Sequence, residues 1–158
     1  MVFSIFFVAC LLETKPLQVR LADPVISLDI QSLDGESLTL EQVANNTFCF
    51  FLSVHCSYCR KAMNQIQIYF IDKHCVFLFL DDQEKVSDFL NDFPRISQTD
   101  VYIITKPDQL KAPAIEKLPA LLAYKSGKLK AAVHGDFNDN VCKLIIASYK
   151  KGSKKEKR

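Results

Sequence analysis

The chain has no tryptophan and only four glycines among its 158 residues. Those glycines stand apart, so there is no glycine-rich loop to cradle a nucleotide phosphate. Nor does any apolar run reach the roughly 20 residues of a membrane-spanning helix; the N-terminal run Val2–Leu12 has 11. Internal repeats and coiled-coil heptads are absent, which excludes solenoids and long coiled coils. Strong net charge is missing as well. The total is +2, and no nucleic-acid-binding motif accompanies it, so no nucleic-acid partner is expected. A structural zinc site would need a second short-spaced Cys/His pair. Cys56, Cys59, His55 and His74 are the nearest approach to one, so neither a metal nor any other cofactor is expected.

Cysteine, by contrast, is plentiful, with 6 residues, and 49% of the chain is hydrophobic, enough for a real core. Disulfide scaffolds are short, loop-rich and poor in core, and this chain is none of these. Cys49, Cys75 and Cys142 fall inside apolar or helix-like segments and read as small buried hydrophobes, with a second disulfide among them left open. Cys56-Ser57-Tyr58-Cys59 is different. It follows the apolar run Phe48–Val54 and precedes the helical periodicity of Ala62, Met63, Ile66 and Phe70. Two thiols at that spacing close a small disulfide ring and open it again. The free N–H groups and positive dipole end of a helix N-terminus favour a thiolate there.

The two ends carry separate messages. Val2–Leu12 has the length of a signal-peptide h-region, and Glu13–Pro24 reads as a linker. Phe7-Val8-Ala9-Cys10 resembles a bacterial lipobox, which makes Cys10 a candidate for lipidation. No Lys or Arg precedes the apolar run, and a strand or core helix of a cytosolic protein is the competing reading. Export to the cell envelope or periplasm is expected, with cleavage or membrane anchoring through the N-terminus left open. At the other end 6 of the 20 Lys and Arg residues cluster in Lys150–Arg158, enough to turn a slightly acidic body into a chain of net positive charge. Such a tail can touch phosphates or anionic lipid; its plainer reading is a solvated terminus. The expected division is 1–24 signal or anchor segment and linker, 25–150 folded domain, and 151–158 basic tail.

Along the domain, Ile26–Ile30 reads as an edge strand and Asp34-Gly35 as the turn of a hairpin over Leu28–Leu40. Thr39 caps a short helix at Leu40–Ala44. The continuous apolar runs Thr47–Val54 and Cys75–Leu80 suit strands buried on both faces. Between them lies a helix from Cys59. Asp81-Asp82 offers a cap to a second helix that Pro94 stops. Val101–Thr105 is a third strand, and Lys106–Lys117 a loop. Ala120–Tyr124 and Leu129–His134 form a hairpin around Ser126-Gly127, and Asn138 or Asp139 caps a last helix. The result is an α/β chain with a mixed central sheet flanked by helices on both faces.

This layout resembles the thioredoxin superfamily. The resemblance rests on the strand Phe48–Val54 running into Cys56-x-x-Cys59, the helix behind it, and Leu118-Pro119 opening the terminal hairpin. Within the superfamily the chain is most similar to the extracytoplasmic TlpA-like proteins, over roughly residues 25–150. Leu33-Asp34-Gly35-Glu36-Ser37-Leu38-Thr39-Leu40 and Cys56-Ser57-Tyr58-Cys59-Arg60-Lys61 reproduce their pattern. The resemblance implies a three-layer thioredoxin-like fold with an N-terminal hairpin extension. It also implies a cis peptide before Pro119 facing the cysteines, and a protein-disulfide oxidoreductase activity. Departures accompany it. The tryptophan usual before the first cysteine is missing, Ala62 and Asn64 replace a usual Glu and Pro, and Phe50 stands where thioredoxin itself buries an acid.

These readings put Cys56 as the nucleophile and Cys59 as the resolving thiol. Leu118 and Pro119 would present backbone groups to the substrate, and His55, Arg60 and Lys61 would add positive potential at Cys56. His55 has a second reading as a polar loop residue; His74 and His134 read as surface residues. Expected partners are protein thiols or disulfides and an upstream oxidoreductase that donates or accepts electrons. A reductase is what the resemblance implies. A disulfide oxidase or isomerase, or a non-enzymatic binding module of the same fold, stays open.

Overall fold

The computed structural model describes residues 17–151. The apolar run Val2–Leu12, the candidate lipidation site Cys10 and the tail beyond Lys151 lie outside the described residues.

Seven strands form one sheet in the order β2-β1-β5-β4-β3-β6-β7. The first two are the hairpin, β1 (Asp29–Ser32) and β2 (Ser37–Thr39). Its turn passes through Gly35 at φ 92°, a conformation glycine adopts without a Cβ clash. The capped helix α1 (Leu40–Val43) follows, with the Thr39 N–H donating to Gln42 Oε1 at 2.7 Å. Next come β3 (Thr47–Leu52), α2 (Ser57–Tyr69), β4 (Cys75–Phe79) and α3 (Gln83–Leu90). After them run β5 (Val101–Ile104), a 3-10 turn at Pro107–Leu110, β6 (Ala120–Lys125), β7 (Lys128–His134) and α4 (Asp139–Lys151).

Strands β3, β4 and β5 are parallel, and β6 and β7 are antiparallel additions beside β3. Every residue of β3 and β4 is buried, as their unbroken hydrophobicity requires. One expectation changes. The strand expected at Ile26–Ile30 lies at Asp29–Ser32 and is interior, since β1 pairs with β5 as well as β2 and leaves β2 at the edge.

The pleat divides the core. Phe48, Phe50 and Leu52 point to one face and Cys49 and Phe51 to the other. The first face receives α2, α3 and α4 through Met63, Phe89 and Ile145. The second is covered more thinly, by Leu40 of α1, Leu110 of the 3-10 turn, and extended segments carrying Leu17, Val19 and Ile26. Helical cover therefore lies on both faces, with the three longer helices on the first.

Candidate active site

The site forms where β3 ends and α2 begins. Helix α2 starts at Ser57, two residues ahead of the expected start at Cys59, with Cys56 in the N-cap position and extended backbone. The reason is the sulfur. Cys56 Sγ accepts from the Cys59 N–H at 3.1 Å, satisfying one of the donors a helix N-terminus leaves free. Cys59 is thereby fixed in the first turn.

The two thiols differ in exposure. Cys56 is half-buried, whereas Cys59 is fully buried. Burial is the main cause that drives the Cys59 thiol far above its ordinary range, followed by its hydrogen bond to Cys56. The negative charges of Cys56 and Asp81 add to the upward push, and the Ser53 backbone works against it. The arrangement thus separates an accessible sulfur from one held as a neutral thiol.

Opposite the pair, the Leu118–Pro119 peptide is cis. The Cys56 thiol donates to the Leu118 carbonyl at 3.6 Å, and the Pro119 carbonyl is fastened by the Gly135 N–H at 2.8 Å. Leu118 is half-buried and Pro119 buried. Tyr58, between the cysteines, is 56% exposed.

The candidate charge donors fall apart in space. His55 is exposed and lies 3.7 Å from Asp81. Arg60 is engaged elsewhere: its guanidinium pairs with Asp92 at 2.7 Å and lies over the rings of Phe89 and Phe93. Its charge is matched by a carboxylate just past the end of α3. Lys61 lies over the Tyr58 ring. His74 is not brought to the cysteines at all. It precedes β4, at the far end of the strands, and contacts Thr47 Oγ1 at 2.9 Å. Among the described residues no cluster of three or more His, Cys, Asp or Glu is placed to hold a metal ion.

Asp81 belongs to the site, although its sequence position suggests only a helix cap. Asp82 does the capping, accepting from the Lys85 N–H at 3.1 Å. The Asp81 side chain is 8% exposed. It accepts from the Val54 N–H at 2.8 Å and from the Ser53 hydroxyl at 3.2 Å. Ser53 in turn holds the loop through its carbonyl, which accepts from the Cys56 N–H at 3.2 Å. A buried carboxylate therefore anchors the segment that delivers Cys56. Phe50, on β3 six residues before Cys56, is packed among Phe70, Phe77 and Phe137.

Cys49, Cys75 and Cys142 are buried, unpaired thiols away from this pair. Burial pushes Cys75 up to about 12 and Cys142 up to about 11.

No family model matches the sequence, and no curated protein matches it at a significant level. Solved structures do match. The thioredoxin domain of a thiol-disulfide oxidoreductase from Bacteroides vulgatus superimposes with a TM-score of 0.66 at 18% identity, covering 82% of this chain and 98% of that one. A thiol:disulfide interchange protein from a Bacteroides species gives 0.64 at 16% identity, over 89% and 96%. A secreted disulfide oxidoreductase of Mycobacterium tuberculosis gives 0.58 at 10% identity, over 80% and 96%. At such identities the likeness establishes architecture: the chain has a thioredoxin-like fold.

Proposed function

We propose that the protein is a thiol–disulfide oxidoreductase that exchanges disulfides with protein thiols of the cell envelope, working as a reductase. The observation that carries this reading is the asymmetry of the pair. Cys56 is accessible at a helix N-terminus, while Cys59 is buried behind it as a neutral thiol. The Cys56 thiolate attacks one sulfur of a substrate disulfide, forming a mixed disulfide and releasing the other substrate sulfur as a thiol after protonation. Cys59 then loses its proton and attacks Cys56 Sγ. The Cys56–Cys59 bond forms, the mixed disulfide breaks, and the second substrate sulfur leaves. Two electrons pass from the protein to the substrate, and an upstream oxidoreductase restores the dithiol. Leu118 and Pro119 line the path by which the substrate chain approaches.

The fold-mates described above are named as interchange proteins and oxidoreductases, one of them secreted, which supports both the activity and an envelope location. The N-terminal run Val2–Leu12 supports export, and a diacylglyceryl group on Cys10, read by mass spectrometry, would mark an anchored form. Cys56→Ser is expected to abolish reduction of insulin disulfides by the purified protein; activity equal to the parent's rules the proposal out.

A further inference from the structure

The end of the molecule opposite Cys56 gathers basic residues from three separate parts of the chain. Lys73 follows α2, Lys125 and Lys128 flank the β6–β7 turn, and Lys150 and Lys151 close α4. Lys73, Lys125 and Lys150 border one shallow cleft of about 270 Å³, floored by Phe48, Ile146 and Tyr149. The acids at this end are Asp72, paired with Lys73 at 2.8 Å, Asp23 in the segment bridged to Lys128, and Asp100, close enough to act on Cys75. The Cys56 end mixes signs: Asp92 is paired with Arg60 and Asp82 with Lys85, and Asp81 and Glu84 stand beside them. With a total of only +2, the chain is not basic overall, and these lysines are a local cluster.

Two large apolar side chains are exposed beside these lysines. Ile68, on the last turn of α2, is 65% exposed, and Ile71, just past it, is 52% exposed. Isolated exposed apolar residues are ordinary. A pair flanked by lysines on one end of the molecule has the composition that lies at the headgroup boundary of a bilayer, lysines at the phosphates and isoleucines below them.

We propose that this basic end, together with Ile68 and Ile71, docks on an anionic membrane surface and turns Cys56 away from it. The 13 residues of α2 span about 20 Å, so the cysteines stand that far above the headgroups, open to protein partners. The docking is independent of the exchange chemistry.

The test is co-sedimentation of the full chain with vesicles of phosphatidylcholine alone and of phosphatidylcholine mixed with phosphatidylglycerol. The expected result is a preference for the anionic vesicles that falls steeply as salt is raised, since screening shortens with ionic strength. The triple variant Lys73→Glu, Lys150→Glu, Lys151→Glu is expected to lose that preference by about tenfold or more. Ile68→Ser with Ile71→Ser is expected to weaken anionic binding several-fold, roughly as loss of buried apolar area dictates. Circular dichroism checks that both remain folded; if the triple variant does not fold, the salt series and the isoleucine pair decide. Equal binding to both vesicle types overturns the proposal, as does a folded triple variant with its preference intact. Retention on heparin without vesicle binding also overturns it and points to a polyanionic partner.

Discussion

Asp81 sets a charge beside a site whose chemistry depends on charge. Its carboxylate is almost enclosed, holds Ser53 and Val54, and disfavours a second negative charge on Cys59. Asn in its place keeps an acceptor for the Val54 N–H and removes the charge. In a Cys56→Ser background, Asp81→Asn should therefore lower the pH at which Cys59 becomes reactive. The iodoacetamide alkylation rate at fixed alkaline pH is expected to rise, on the order of a few fold, since nearby like charge is one of the three causes of thiol shifts. An unchanged rate–pH profile would reduce Asp81 to a structural tether. The sequence marks the adjacent Asp81-Asp82 pair only as an end to a strand and a cap. The strand ends at Phe79 and Asp82 is the cap, but nothing local tells which of two neighbouring carboxylates turns inward. That is decided by donors 27 and 28 residues earlier in the chain. The Cys56–Cys59 pair was legible, because spacing and a neighbouring apolar run are local features; Leu118-Pro119, 62 residues from Cys56, was marked only by the family resemblance. The commitment of Arg60 to Asp92 was not, because it depends on how α3 packs.

Helix α2 shows what one turn of backbone does for the chemistry. Its start at Ser57 makes Cys56 a cap and Cys59 a first-turn residue. The apolar stripe that reveals the helix begins only at Ala62, so periodicity alone places the start too late. The interior place of β1 was equally hidden, because its partner β5 lies some 70 residues downstream. Strands β3 and β4 were plain, since complete burial leaves an unbroken apolar run. Helix α4 carries Cys142 into the core, and its raised thiol pKa gives a pH dependence with a definite sign. The folded chain keeps this thiol neutral, so its contribution is fully present below the unfolded thiol pKa, near 8.5. It is lost as pH rises through about 11. Urea midpoints for the reduced protein should fall between these values, and Cys142→Ala should flatten the fall by one proton's share. An identical slope in the variant would contradict the assignment.

At the scale of the whole molecule, the thioredoxin-like fold places a helix N-terminus, the end of a buried strand and a cis-proline loop around one sulfur. Phe50 is enclosed among aromatic rings, and a negative charge near the buried thiol comes from Asp81, past the end of the neighbouring strand. The proposed direction of electron flow concerns the protein as a whole, because it depends on the relative stability of its dithiol and disulfide forms. Equilibration with a thiol buffer is expected to give a potential near roughly −270 mV, as for a reductase, whereas a value of about −120 to −180 mV would mark an oxidant or isomerase. The central claim, that Cys56 exchanges and Cys59 resolves, is tested most directly by trapping. Cys59→Ser protein incubated with a disulfide-bonded substrate should accumulate a mixed disulfide, released by dithiothreitol and mapped by mass spectrometry to Cys56. A trapped adduct on Cys49, Cys75 or Cys142, or no adduct at all, would contradict the account.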